Sequence, residues 1–485
     1  MLLQTLSWTH LTANAAPLLI LAVAGLMTLM LGLWNQRRAF DLAVVGVLGA
    51  IVALIPQWRG TVGALPQALF YFDGLAWVGG ALILLALGLT LILSPTYLRA
   101  RRLPLAEFAA LILFAAVGMW CMVATHHLAL IFVGIETLSI ASYVMAAYHR
   151  REATSLEAGI KYFVLGSIAA SFLLFGMALL YAGTGSLDLF AIQAVRSDAL
   201  TPMAWNYVRI GLACLMVGFA FKIAAVPFQF WTPDVYSGAP LPVTAFFATG
   251  VKAGAFIALL RLVQSVVALN DGSVTECLWW LAVATMVIGN LAALAQDDMK
   301  RMLAYSSIAH AGYALIAIVL ASRGESGVVA PLLLYLFAYT LMTLGAFAVL
   351  LTMSPADRET TQVSTVAGLA YRRPAVAALF SVFLLSLAGM PPTVGFFGKY
   401  YLFQTAVAAD EIPLVIVAVL SSVVSVAYYV RPIVMMYFRA PAETVVPTFR
   451  LAFGTRVVLA VAVLGVLAAG LFPSRIVALL GNSVR

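Results

Sequence analysis

The sequence predicts an all-α membrane protein with about fourteen transmembrane helices. Of its 485 residues, 64% are hydrophobic and only 9% are charged. A soluble domain carries about a quarter charged residues because its surface faces water, so most of this surface is predicted to face hydrocarbon. The apolar residues form runs near the roughly 20 residues that a helix needs to cross a bilayer. Helices are favoured because they satisfy the backbone hydrogen bonds within each span.

The spans follow one another with short connections and no room for a soluble domain. The longest connection, 184–202, is predicted to hold a short amphipathic helix at the membrane surface. Residues 1–14 lack the basic start and cleavage site of a secretory signal, so the first run is expected to stay as a span. The predicted span cores are 15–34, 42–56, 75–93, 108–123, 128–147, 160–181, 208–226, 243–263, 278–294, 302–320, 331–353, 375–407, 413–436 and 457–471.

The basic residues predict the orientation of the chain. They cluster in the connections after spans 1, 3, 5, 9 and 11, which all emerge on the same side. Short cytoplasmic connections are enriched in Lys and Arg, so this side is predicted to be cytoplasmic and both termini periplasmic, in a bacterial inner membrane. Because the charge is spread over short connections, the net charge of +8 does not indicate nucleic-acid binding. The clusters are Arg37–Arg38, Arg99–Arg102, Arg150–Arg151, Lys300–Arg301 and Arg372–Arg373.

Two spans are predicted to be broken. Span 7 contains Pro227 and Pro233, and span 12 contains Pro391 and Pro392 directly after Gly389. Proline lacks a backbone donor and interrupts a helix, and at membrane depth the freed carbonyls must face protein or water. The breaks lie five spans apart, which predicts two five-helix repeats, spans 4–8 and 9–13, with opposite orientations. Two unrelated proline kinks are the alternative.

The repeats divide the chain into four predicted parts. Residues 1–105 form an N-terminal three-helix segment, and 106–270 form the first antiporter-like unit. The second, inverted unit spans 271–440, and a last transmembrane helix lies in 441–485.

Four ionisable residues lie deep in apolar runs. Glu136, Lys222 and Lys252 are in the middle of their spans, and Lys399 follows the double-proline break. A charge at a helix centre costs about 2.5–3.5 kcal/mol on insertion scales, so such residues usually mark a functional pathway. Lysine can exchange its proton whereas Arg cannot, and a carboxylate that changes its distance can switch a buried lysine. These four are therefore predicted to transfer protons. The alternative is a static ion pair.

Further titratable residues are weaker candidates. Glu157 and Lys161 stand four apart at the start of span 6, a spacing that is also typical of a surface helix pair. His310 shares a helix face with Ser306, Ser307 and Tyr313, a polar stripe that could hold water. Histidine titrates in the useful range, but an interhelical hydrogen bond is an equally good explanation.

Two other groups of polar residues are also candidates. Ser421, Ser425 and Tyr428 fall on one face of span 13, a pattern typical of either water contact or helix packing. His126 and His127 are predicted to lie at the interface near the outer end of span 5.

The sequence predicts no redox centre and no metal site. Cys121, Cys214 and Cys277 are isolated from one another, whereas metal sites and clusters need grouped ligands. No nucleotide-binding signature and no nucleophile elbow are present. Electron-transfer chemistry is therefore expected in partner subunits.

Three segments resemble a known family. Residues 226–240, 300–313 and 386–399 are similar to motifs of subunit N of NADH-quinone oxidoreductase, respiratory complex I. This subunit is antiporter-like and belongs to the membrane arm, and the resemblance covers nearly the whole chain. It implies a proton-translocating subunit driven by electron transfer from NADH to quinone in other subunits.

The resemblance also implies roles for individual residues. Glu136 would modulate Lys222 in a first half-channel. Lys252 and His310 would belong to a central hydrophilic axis, and Lys399 would serve a second half-channel.

Other positions follow the family pattern less closely. The resemblance implies secondary roles for Glu157 and Lys161. Many relatives have His where this chain has Gln229, so a proton-exchanging role is in doubt at this position. No cofactor is expected in this chain. NADH, FMN, iron–sulfur clusters and quinone are expected in partner subunits, and the predicted partners are sister antiporter-like subunits, small helical subunits and lipid.

Three other functions stay open at this stage. A cation/proton antiporter subunit of the same fold is one alternative, since fold does not determine function. A passive scaffold of the membrane arm is another. A solute transporter would need a substrate cavity that the sequence does not reveal.

Overall fold

The structure is a computed structural model that describes residues 8–55, 69–195, 200–266, 269, 272–354, 359–440 and 452–484, without the side chains of 8–13 and 484. The first helices are α1 (Trp8–Gly32), α2 (Gln36–Leu54), α3 (Gly74–Ala100), α4 (Leu105–Val123), α5 (Leu128–Ala146), α6 (Ala153–Thr184), α7 (Leu189–Gln193), α8 (Pro202–Ile223), α9 (Trp231–Gly238) and α10 (Leu241–Phe246). The others are α11 (Lys252–Ser265), α12 (Ser273–Leu294), α13 (Met299–Ser322), α14 (Val329–Met353), α15 (Leu369–Arg372), α16 (Pro374–Ala388), α17 (Val394–Ala408), α18 (Ile412–Phe438), α19 (Phe453–Leu471) and α20 (Pro473–Val484).

The fold is the predicted all-helical membrane bundle. Twelve described helical stretches are long and apolar enough to cross a bilayer. Helix α2 and the pair α16 and α17 supply the remaining two predicted spans. The five-residue helix α7 lies in the connection where a short helix was predicted.

Both predicted helix breaks are present and have similar local structure. Helix α8 ends at Ala224 (φ 61) and α16 ends at Gly389 (φ 88), both in the left-handed region. Each break contains a cis peptide bond before proline, at Val226–Pro227 and Pro391–Pro392. The chain then continues as α9 and α17.

The groups freed at the first break find partners inside the protein. The Phe221 carbonyl accepts a hydrogen bond from the Trp231 indole at 3.1 Å. The Val226 amide donates to Thr285 Oγ1 on α12 at 2.9 Å. Helix α12 belongs to the second predicted repeat, so this bond connects the two.

One irregular segment was not predicted. Residues Phe247–Val251 form a π-helical turn between α10 and α11, directly before Lys252. Such turns are rare and are frequent at functional sites. No proline marks this turn, so the sequence offered no signal for it.

Three elements form the centre of the bundle. Nearly all side chains of α11, α13 and α14 are buried, whereas α6 and α18 expose one apolar side. An apolar exposed side suits contact with lipid or a neighbouring subunit. Residues on α11 and α13 are consequently shielded from bulk lipid by surrounding helices.

Candidate functional site

Lys222 lies in the last turn of α8, directly before the first break. It is 4% exposed, and its ammonium donates to Ser139 Oγ on α5 at 2.9 Å. Glu136, half-buried one turn earlier on α5, is coupled to Lys222 electrostatically. No ion pair joins the two side chains in the part of the chain that the structure describes. The predicted pair therefore interacts electrostatically, while the hydrogen bond of the ammonium goes to the Ser139 hydroxyl.

Lys252 lies at the start of α11, after the π-helical turn. It is 3% exposed, and its ammonium donates to the backbone carbonyl of Ser307 on α13 at 2.6 Å. Its hydrogen-bond partner is thus a neutral oxygen of the central helix.

His310 lies three residues further along α13 and is enclosed by aromatic residues. Its Nδ1 is 2.6 Å from the Tyr335 hydroxyl, and its Nε2 is 3.2 Å from the Tyr429 hydroxyl. The imidazole also interacts electrostatically with Lys252 and Lys399. His310 is therefore coupled to both lysines.

Lys399 lies in α17 beyond the second break. Its ammonium donates to the Leu387 and Ala388 carbonyls, at 3.3 and 3.0 Å, and to Ser422 Oγ at 2.9 Å. It also lies 4.9 Å from the centre of the Tyr313 ring. The two carbonyls are those freed by the break, so the interrupted helix itself forms part of this lysine's site.

A polar network joins Lys399 to the neighbouring helices. Asn290 on α12 donates to the Tyr313 hydroxyl at 3.1 Å and accepts from the Tyr428 hydroxyl at 2.9 Å. Ser425, on the same face of α18 as Tyr428, donates within the described structure to the Ser422 carbonyl of its own helix. The polar face of α18 therefore combines interhelical contact with ordinary helix packing.

The sequence reasoning overlooked several members of this site. Asn290 had a usable signal, because an amide in an apolar span is costly unless it is satisfied. Ser139, Ser422, Tyr335 and Tyr429 had none, since hydroxyl residues are common in spans and only the fold brings them to the lysines and His310.

Several buried polar atoms along this row have no hydrogen-bond partner within the described residues. Buried polar groups are almost always satisfied, and ordered water is the usual partner when protein is not. The row is therefore expected to be hydrated. These atoms are Tyr162 Oη, Gln229 Oε1, Thr232 Oγ1, Tyr236 Oη, Ser307 Oγ and Thr343 Oγ1.

Glu157 and Lys161 form the predicted pair at 2.6 Å, but they lie apart from the buried row. Both are well exposed, and Lys161 also binds Asp234 on α9 at 2.7 Å. Asp234 in turn binds Arg301 on α13 at 3.0 Å. The pair is thus part of an ionic network that connects α6, α9 and α13 at the face of the basic connections.

A second polar cluster, around Arg261, lies at the opposite face of the bundle. Arg261 of α11, 2% exposed, donates to both oxygens of Asp73 at 2.9 and 2.5 Å and to the Val123 carbonyl at 2.9 Å. It also donates to His126 Nε2 at 2.6 Å. His126 stacks on Phe190 with ring centres 4.1 Å apart. This histidine was predicted at the interface, and its contacts show that it is packed under α7.

Two groups of this cluster lie between spans and have shifted pKa values. Burial, followed by the charge of Arg261, lowers the pKa of His126 to about 4. Burial raises the pKa of Asp73, but the charge and hydrogen bonds of Arg261 outweigh it and hold this pKa below its ordinary value. His126 is therefore neutral and Asp73 ionised at neutral pH.

Comparison with known proteins identifies the family of this chain. The family described as NADH:quinone oxidoreductase/Mrp antiporter, TM, matches residues 125–425. NADH-quinone oxidoreductase subunit N of Trichlorobacter lovleyi is 40% identical over 474 residues, covering 97% of this chain and 96% of that protein. The chain belongs to the subunit N family of NADH-quinone oxidoreductases. The subunit N of Rhodospirillum rubrum is also 40% identical, over 436 residues that cover 88% of each chain.

Solved structures confirm the antiporter-like fold of this subunit N family member. A chain of respiratory complex I from Thermus thermophilus with bound aureothin has a TM-score of 0.81 and 37% identity, covering 95% of this chain and 98% of that chain. A chain of an archaeal membrane-bound sulfane sulfur reductase has a TM-score of 0.85 at 24% identity, covering 98% of each chain. The second likeness shows the fold alone.

Proposed function

We propose that this chain translocates protons across the bacterial inner membrane as a membrane-arm subunit of an NADH-quinone oxidoreductase. The observation that carries the proposal is common to Lys222, Lys252 and Lys399. Each is at most 4% exposed, and its ammonium binds hydroxyl or carbonyl oxygens rather than a carboxylate. A buried amine with neutral partners gains or loses its proton in response to modest changes in nearby charge.

Glu136 supplies such a change for Lys222 in the first half-channel. At an effective dielectric constant of about 20, moving a carboxylate from about 4 to about 8 Å weakens its attraction by about 2 kcal/mol. That energy changes proton affinity by about thirtyfold. A change of about 4 Å in the distance between the carboxylate and the ammonium is therefore sufficient to switch Lys222, and the Ser139 hydroxyl offers the amine a neutral hydrogen-bond partner.

The central axis then connects Lys252, His310 and Lys399. Their electrostatic coupling and the hydroxyls of Tyr335 and Tyr429 support transfer toward a second half-channel at Lys399. The unpartnered buried polar atoms support a hydrated route. Gln229 would bind water on this route rather than exchange protons.

Partner subunits supply the energy in this proposal. NADH oxidation, FMN, the iron–sulfur clusters and quinone belong to those subunits, and no redox step occurs in this chain. Sister antiporter-like subunits and small helical subunits would contact the apolar exposed sides of the bundle. The face of the basic connections would lie in the cytoplasm.

The test compares variants in the assembled complex. We expect Lys222→Ala and Glu136→Gln to retain assembly and to lower proton pumping driven by NADH oxidation by about tenfold or more, within the range typical of lost acid–base groups. Pumping is measured in membrane vesicles with a pH-sensitive dye, beside quinone reduction. Full coupled pumping in both variants would leave only a scaffold role. Pumping that requires Na⁺ or K⁺ would instead indicate a cation/proton antiporter.

A further inference from the structure

A polar cavity opens at the face of the basic connections. It has a volume of about 240 Å³ and is bounded by α3, the start of α6, the α9–α10 connection and the segment after α14. One water occupies about 30 Å³ in the liquid, so the cavity has room for several. It is separate from the buried lysine row described above, and the proposed function does not use it.

The floor of this cavity is a buried ion pair. Glu359 accepts hydrogen bonds from Lys300 at 2.6 Å, the Tyr97 hydroxyl at 2.5 Å and the Leu241 amide at 3.1 Å. Lys300 is 2% exposed and also donates to the carbonyls of Ala239 and Ser237, at 2.5 and 3.1 Å. All three ammonium protons thus have acceptors.

The charge state of Glu359 follows from these contacts. Burial raises the pKa of this carboxyl, but the charge and hydrogen bond of Lys300, with the hydrogen bond from Tyr97, hold its pKa below the ordinary value. Glu359 lies between spans and is an anion facing an aqueous cavity. Such a group attracts protons and hydrogen-bonds water.

A polar stretch leads inward from Lys300 to Lys252. Ser307 is two turns further along α13, about 10 Å from Lys300, and its carbonyl accepts from Lys252. Tyr236 adjoins Ser237, whose carbonyl binds Lys300, and its hydroxyl interacts with Ser307. The Tyr236 and Ser307 hydroxyl oxygens are buried and have no hydrogen-bond partner among the described residues, so each is expected to bind water.

We propose that this cavity is a proton-uptake mouth and that Glu359 and Lys300 relay protons from it directly to Lys252. In one step Lys300 gives a proton inward to water beside Tyr236 and Ser307. The Glu359 carboxylate then takes a proton from cavity water and passes it to the neutral Lys300 amine, so that Glu359 returns to its ionised form, one proton enters and one leaves. The inference rests on the proposed function and adds a supply of protons to Lys252 that does not pass through Lys222.

The first experiment replaces Glu359 in the intact complex. Glu359→Gln keeps an acceptor for Tyr97 but cannot take up a proton, so pumping is expected to fall about tenfold or more. Glu359→Asp keeps the carboxylate and is expected to retain a measurable part of the wild-type proton pumping. Asp297→Asn is the matched control, because Asp297 is an exposed carboxylate at the same face whose partner is Arg431.

The second experiment does not depend on the ion pair. Thr154 lines the cavity, and Thr154→Cys is treated with a charged, membrane-impermeant thiol reagent in vesicles that expose this face. Labelling is expected to lower pumping at least about fivefold, whereas the same treatment of the wild type controls for the native cysteines. Complete labelling with unchanged pumping would overturn the proposal.

The outcomes separate this inference from the proposed function. Unchanged pumping in Glu359→Gln, with pumping lost in Lys222→Ala, would refute the uptake mouth and leave the proposed function intact. Unchanged pumping in both would refute both. Pumping lost equally in Glu359→Gln and Glu359→Asp, with the labelled Thr154→Cys fully active, would assign Glu359 a structural role only.

Discussion

At the scale of residues, the buried lysines are defined by what they bind. Lys252 binds a helix carbonyl, and Lys399 binds two carbonyls and a hydroxyl. In contrast, Lys300 and Arg261 each bind a carboxylate. Their position in apolar runs correctly predicted that Lys252 and Lys399 are buried. It could not show whether a buried cation binds a neutral oxygen or a carboxylate, because the partners come from distant segments.

The requirement for an exchangeable proton is tested at Lys399. Lys399→Arg keeps the positive charge, but the guanidinium stays protonated at any accessible pH. We expect the complex to assemble and proton pumping to fall about tenfold or more. Pumping per NADH oxidised in vesicles is the measurement. A variant that pumps at the wild-type ratio would show that Lys399 contributes charge alone.

The His126 cluster predicts a pH dependence. The pKa of His126 is lowered to about 4, so the unfolded chain takes up a proton near the ordinary value of 6.5 before the folded chain does. The stability that neutral His126 contributes is therefore complete above about pH 6.5 and is lost as the pH falls toward about 4. Hydrogen exchange in residues 124–130 of the complex, corrected for intrinsic rates, should accelerate over this range.

Two variants separate this effect from general acid sensitivity. His126→Gln keeps an acceptor for Arg261 without titrating and should flatten the pH profile. His127→Asn should leave the pH profile unchanged. His127 caps α5 by accepting a hydrogen bond from the Ala129 amide, and Asn is a good capping residue. Identical profiles in His126→Gln and wild type would contradict the assignment.

At the scale of elements, the two broken helices were the most predictable irregular features. Proline marks each break directly in the sequence, at Pro227 and at Pro391 with Pro392. The π-helical turn before Lys252 carries no such mark and was missed. The bond from the Val226 amide to Thr285 connects the first break to the second predicted unit.

That bond can be removed with little change in shape. Thr285→Val leaves the buried Val226 amide without an acceptor, which costs about 1–3 kcal/mol. Thr90→Val is the control, since the hydroxyl of buried Thr90 donates to the Ala86 carbonyl of its own helix. We expect faster hydrogen exchange in residues 222–232 for Thr285→Val and no change there for Thr90→Val. Equal exchange in the two variants would show that the break is held by other contacts.

At the scale of the whole molecule, the number of spans and the shared face of the basic clusters follow from the sequence. The Glu359 cavity is lined by the end of α3, the start of α6 and the segment after α14. These three regions meet on one face, as the alternating direction of successive spans predicts. Which helices form the centre could not be predicted, because α12 and α13 have similar apolar runs and only packing distinguishes them. Pairs such as Arg261 with Asp73 also have no local pattern that reveals them.

The orientation of the molecule is the prediction that connects these features. An even number of spans places both termini on one side, and the basic connections on the other side are predicted to be cytoplasmic. In a cysteine-free background of the assembled complex, an impermeant maleimide should label Arg151→Cys in inside-out vesicles and Asn482→Cys in right-side-out vesicles. Both positions are exposed in the isolated chain. Labelling of both from one side would contradict the span count. The reverse pattern would place the Glu359 cavity in the periplasm, where protons are released, and it could then not be a site of uptake.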